Sequence, residues 1–138
     1  MEGEAAPRLL PLPQRSGPGG RLTVAEGERH VPFAIRRVFT VTELQPGLRR
    51  GGHAHKAQEQ ALAAVVGAIT VTLDRGGGRI ETHRLDRPDA LLHVPAMIWL
   101  DYAAESIGAA LLVLCSDRYD EADYIRDRAI FDAATGRR

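Results

Sequence analysis

Ala68-Ile69-Thr70-Val71-Thr72-Leu73-Asp74-Arg75-Gly76-Gly77-Gly78-Arg79-Ile80 decides the fold class. Ile69, Val71 and Leu73 fall on one face and Thr70 and Thr72 on the other, the alternation of a half-buried strand. The glycines after Arg75 suit a hairpin turn, and residues 80–85 return with the same alternation. Outward from this hairpin the pattern repeats. Upstream, residues 22–25, 34–42 and 61–66 read as strands, the last closed by Gly67. Downstream, residues 91–94 run up to Pro95, and residues 99–103 and 109–115 follow, the last apolar enough for a central strand. Helical spacing is confined to residues 120–128, where Tyr124, Ile125 and Arg128 share a face. Many short strands separated by turn signals predict an all-β sandwich or barrel with a short C-terminal helix.

A chain of 138 residues is expected to form one domain and to bury its own core. The reading places a flexible, proline- and glycine-rich arm over residues 1–20, the domain over 21–131 and a frayed tail over 132–138. With 18 basic and 18 acidic residues the net charge is zero, which argues against a nucleic-acid partner and leaves self-association open. Cys115 is the single cysteine, set in an apolar strand, and reads as a small buried hydrophobe. The acidic start Met1-Glu2-Gly3-Glu4 is unlike a signal peptide, and no apolar run reaches membrane-spanning length. The expected location is the cytoplasm.

The chemistry concentrates at Arg50-Gly51-Gly52-His53-Ala54-His55-Lys56. In a strand, residues two apart point the same way, so His53 and His55 would share one space. Neutral imidazole is both a common metal ligand and a common base near pH 7, and the residues alone leave metal chemistry and proton chemistry open. The spacing Gly47, His53, His55, Glu59, Gly67 resembles the first motif of the cupins, small double-sheet jelly-roll β-barrels. The resemblance makes His53, His55 and Glu59 candidate metal ligands, with a further His expected after Pro95. That position is Leu100, which cannot bind metal.

A narrower resemblance covers residues 21–131. It rests on residues 31–38, the His-Ala-His-Lys segment, Glu59-Gln60, residues 95–99, and Tyr119-Asp120-Glu121-Ala122-Asp123-Tyr124-Ile125-Arg126. These are similar to the WxcM-like nucleotide-sugar 3,4-ketoisomerases, metal-independent cupins acting on dTDP-4-keto-6-deoxyglucose. The resemblance implies His53 and His55 as catalytic residues, Arg37, Arg50 and Trp99 as substrate-binding residues, no cofactor or metal, a dTDP-linked sugar as substrate and a homodimer. A 3,4-keto shift needs a base, a proton shuttle and a stabilised enediolate, which two imidazoles and neighbouring cations suit. The alternatives are a metal-dependent cupin using His53, His55 and Glu59, and a non-catalytic sugar-nucleotide binder. The chain departs from the family at Leu100, where a polar residue is usual, and at Thr40, where an aromatic is usual. His30, His83 and His93 read as structural or surface residues, Asp120 to Asp123 as helix-capping charge, and Tyr124 as ring packing on the barrel.

Overall fold

The computed structural model describes residues 5–135. In chain order the strands are β1 (Arg8–Pro11), β2 (Gln14–Gly17), β3 (Gly20–Thr23), β4 (Arg37–Leu44), β5 (Arg50–His55), β6 (Gln60–Val66), β7 (Ile69–Asp74), β8 (Ile80–Leu85), β9 (Ala90–Val94), β10 (Trp99–Ala104), β11 (Ala109–Cys115) and β12 (Tyr124–Ile125). A single helix, α1 (Arg128–Thr135), follows. One five-stranded sheet has the order β1-β9-β6-β11-β4 and the other β12-β5-β10-β7-β8, with β2 and β3 a separate hairpin. The strand pairings are antiparallel. This is the double-sheet architecture the strand pattern predicts.

Alternation explains how the two sheets close on each other. Ile69, Val71 and Leu73 are fully buried and meet Leu62, Leu92, Leu111 and Val113 from the opposite sheet. Each such side chain taken from water is worth about 1.5–3 kcal/mol, so this layer is the main source of stability. At one end the inner faces stay apart and leave an open cleft whose lining includes Phe39, Val41 and Leu100. A second apolar cluster lies outside β5 and β10: Ala54, Trp99, Ile125 and Phe131, the last contributed by α1.

Several expectations are corrected. The described part of the arm expected over residues 1–20 is built into the fold: Arg8–Pro11 pairs with β9, and β2 forms a hairpin with β3. Proline is tolerated there because β1 is a sheet edge. The helix expected over 120–128 is a 3-10 turn (Glu121–Asp123) followed by β12, and α1 begins later. Pairing of Tyr124 and Ile125 along the free edge of β5 overrides their helical spacing. Asp127 accepts from the Ala129 amide at 2.8 Å and so caps the start of α1. That helix runs through the tail expected from 132, and residues 136–138 lie outside the described residues. Among the described residues no helix is long and apolar enough to cross a membrane.

Candidate active site

The glycines before His53 decide what the site contains. Strict alternation would send Arg50 and His53 to opposite faces. Opposite β10, however, His53 pairs with Leu100, Gly51 with Asp101 and Arg50 with Tyr102, so one residue of β5 is extra. This is a β-bulge, formed by Gly51 at φ 90° and Gly52 at φ 75°. A Cβ on Gly51 would sit 2.7 Å from the Leu100 carbonyl oxygen, so only glycine fits. The bulge turns Arg50 onto the same wall as His53, and both line a cleft of about 240 Å³.

Arg37, Phe39 and Val41, two apart on β4, form the facing wall of that cleft. Tyr102, Tyr124, Gln60 and Arg126 complete its polar rim, over an apolar floor that includes Leu62, Leu100 and Leu111. The Arg50 Nε–H donates to the Tyr102 hydroxyl oxygen at 3.3 Å, and Arg37 donates to the Tyr124 hydroxyl at 3.4 Å. Each phenol accepts from a cation and keeps its own proton to donate. The Arg126 guanidinium lies 4.2 Å over the Tyr124 ring and is held by both carboxylate oxygens of Glu121, at 2.7 and 3.0 Å. Those bonds and the Tyr119 hydroxyl push the Glu121 carboxyl down to about 2.

The two imidazoles meet edge to face, with centroids 5.1 Å apart. Burial, then the neighbouring His55, lowers His53 to about 4. Burial also lowers His55, opposed by its hydrogen bond to Asp123. Both rings are therefore neutral at pH 7. His55 Nδ1–H donates to Asp123 Oδ2 at 3.1 Å, while the same carboxylate accepts from the Ala57 and Gln58 amides at 2.8 and 3.2 Å. That geometry selects the tautomer and leaves His55 Nε2 as an acceptor.

The structure thus brings His53, His55, Arg37 and Arg50 together, and it moves Trp99 away. Leu100 faces inward opposite His53, so its neighbour Trp99 faces outward. Its ring packs 5.6 Å from Phe131 and under the Arg128 guanidinium, and it is not a cleft residue. Thr40 is likewise on the outer face of β4, and the inward aromatic is Phe39, one position earlier. Glu59 binds His93 Nε2 at 2.7 Å and lines neither cavity bordered by His53, so His53, His55 and Glu59 do not converge as a ligand set. Among the described residues no group of three or more His, Cys, Asp or Glu is placed to hold a metal ion. Asp123 and Tyr124, read from the sequence as capping and packing residues, belong to the site. The one signal for them was their place in the Tyr-Asp-Glu-x-Asp-Tyr-Ile-Arg segment. A larger groove of about 330 Å³ beside Met97 and Thr135 carries no His or Tyr.

A family profile described as "FdtA: WxcM-like, C-terminal" matches residues 5–136. The TDP-4-oxo-6-deoxy-alpha-D-glucose-3,4-oxoisomerase of Aneurinibacillus thermoaerophilus is 38% identical over 107 residues, 78% of this chain and 76% of that protein. A crystal structure of a His-to-Asn mutant of the 3,4-ketoisomerase QdtA from Thermoanaerobacterium thermosaccharolyticum, in complex with TDP-4-keto-6-deoxyglucose, superposes with a TM-score of 0.90. It is 29% identical and covers 94% of this chain and 93% of its own. The WlaRB TDP-quinovose 3,4-ketoisomerase of Campylobacter jejuni gives a TM-score of 0.86 at 37% identity, covering 92% of this chain and 97% of its own.

Proposed function

The chain belongs to the FdtA, WxcM-like family and is a TDP-sugar 3,4-ketoisomerase; we propose that it converts a dTDP-4-keto-6-deoxyhexose with His53 as the base. The observation that carries this reading is a neutral imidazole on the cleft wall, facing a rim with two phenols whose oxygens already accept from arginines. The cleft, at about 240 Å³, falls just below the ~300–1,000 Å³ of whole-ligand pockets. It suits one sugar ring, with the nucleotide across the mouth. Arg37, Arg50 and Arg126 on the rim then meet the diphosphate, for which a guanidinium fork is matched in shape and charge.

His53 takes the C3 proton, and the C–H electron pair enters a C3–C4 double bond, leaving the charge on O4. The Tyr102 and Tyr124 hydroxyls supply the donors for that oxyanion. Return of the proton to C4, with O3 losing a proton and O4 gaining one, gives the 3-keto-4-hydroxy sugar with no net change in atoms. His55 lines only the smaller cavity behind this wall and, fixed by Asp123, supports the His53 ring. No step calls for a metal or cofactor. Incubation with dTDP-4-keto-6-deoxyglucose in deuterated water, followed by NMR, tests the reading. Deuterium at the sugar and a 3-keto product are expected; neither appearing would overturn it and favour a non-catalytic binder.

The proposal extends to a cytoplasmic homodimer. Leu9 and Val38, on the two edge strands of one sheet, are exposed apolar side chains, and a free buried Cys115 suits a reducing compartment. Sedimentation of the purified chain at a monomer mass would remove the dimer.

A further inference from the structure

Tyr119 lies outside the cleft lining, yet it is linked to groups on both cleft walls. It sits in the stretch that runs from the end of β11, in one sheet, to β12, at the edge of the other. The Arg37 guanidinium, on the β4 wall, lies 5.2 Å from the centre of the Tyr119 ring and 4.7 Å from that of Phe39. Both distances are within cation–π range. Toward the other wall, the Tyr119 hydroxyl donates to Glu121 Oε1 at 2.6 Å. The same oxygen accepts from Arg126 at 3.0 Å, and Oε2 accepts from it at 2.7 Å. Tyr119 thus reaches two of the rim arginines, Arg37 through its ring and Arg126 through its hydroxyl and Glu121. Both arginines also meet Tyr124 within the cleft, so the contacts close into a loop.

Two guanidiniums on one rim repel, and each long side chain gains freedom by swinging into water. The Arg126–Glu121 pair alone is a weak restraint. Its side chains are 52% and 56% exposed, and isolated surface ion pairs hold little, whereas networks hold more. Tyr119 makes this pair part of a network. The Glu121 carboxylate pushes the Tyr119 phenol up, so the hydroxyl keeps the proton it donates. The ring is 57% exposed, so burial in a core does not account for its place.

We propose that Tyr119 is a positioning residue that sets the spacing of the Arg37 and Arg126 guanidiniums for the two phosphates of the nucleotide sugar. It touches no substrate atom itself. By ordering both side chains in the free protein it leaves less ordering for binding to accomplish. This rests on the reading of these arginines as the diphosphate site.

Calorimetric titration with TDP and steady-state kinetics on the wild type, Tyr119→Phe, Arg126→Met and the double variant form a double-mutant cycle. Tyr119→Phe loses only the hydroxyl. It should weaken TDP binding about three- to tenfold, the scale of leaving one long side chain unordered, and raise KM with kcat nearly as it was. Arg126→Met should weaken TDP binding more, and adding Tyr119→Phe to it should cost nothing further. Tyr119→Leu, which also takes the ring from Arg37, should bind TDP more weakly than Tyr119→Phe. Full additivity in the cycle overturns the proposal, because Tyr119 would then act on the ligand directly. Unaltered TDP binding by Tyr119→Phe, or a loss in kcat alone, overturns it as well. Intact TDP binding by Arg126→Met would fell the diphosphate reading and the proposal with it. A costly Arg126→Met beside a neutral Tyr119→Phe would leave that reading standing and refute the role of Tyr119 alone.

Discussion

Replacing His53 by Asn should remove much of the acid sensitivity of this fold between pH 4 and 6.5. Burial and the adjacent His55 bring the His53 imidazole from 6.5 to about 4. In that window the unfolded chain binds a proton at residue 53 and the folded chain does not. Stability therefore rises with pH: the contribution is complete above 6.5, falls as the pH drops, and is gone below about 4. The difference is worth about 3 kcal/mol at ~1.4 kcal/mol per pH unit, reduced toward about 2 by solvent reaching a half-buried ring. Urea unfolding of both proteins from pH 4 to 7.5 at fixed ionic strength measures it. Relative to wild type, the variant should gain about 2–3 kcal/mol on going from pH 7.5 to pH 4. Glu121 does not confuse the comparison. Its carboxyl lies at about 2, so its stabilising pairing is present above 4.5 and lost toward 2, below most of the window and in both proteins. The same imidazole should set the acid limb of kcat/KM in the wild type near pH 4. Parallel stability curves for the two proteins, or an acid limb near 6.5, would refute the reasoning that burial holds His53 neutral.

Other outcomes follow from single contacts. Asp123→Asn frees His55 to take the wrong tautomer, and kcat should fall by up to about 100-fold with KM little changed in steady-state assays. Arg50→Met should raise KM for the nucleotide sugar and loosen Tyr102, with the larger loss in kcat/KM; an unchanged KM would take Arg50 off the diphosphate. Glu59→Gln should leave kcat/KM within about twofold, because Glu59 faces His93 rather than the cleft. Phe131→Ala should lose about 3–5 kcal/mol in urea unfolding, since its fully buried ring supports Trp99 behind β5.

Much of the fold was legible along the chain because strand alternation is a local property. Residues 80–85 and 109–115 are strands as read, and the glycine turn after Arg75 joins β7 to β8. The segments misread were those whose state depends on a distant partner. Arg8–Pro11 is an ordered strand only because β9 offers an edge, and Tyr124–Ile125 is a strand only because β5 does. Proline content and helical spacing describe such segments in isolation, and pairing outweighs both.

At the site, the order of residues by itself determined the His53–His55 pair, whereas the need for glycine at 51, set by the Leu100 carbonyl of β10, and the outward turn of Trp99 came from the pairing of β5 with β10. The pair follows from side-chain direction within one strand. The contacts of the pair with its partners came from tertiary structure. Asp123 lies 68 positions from His55, and Tyr124 lies 87 from Arg37. They meet because the chain returns to the edge of β5 after closing the barrel. A carboxylate at a turn and a carboxylate on an imidazole are the same residue in sequence; only the closed sheet tells them apart.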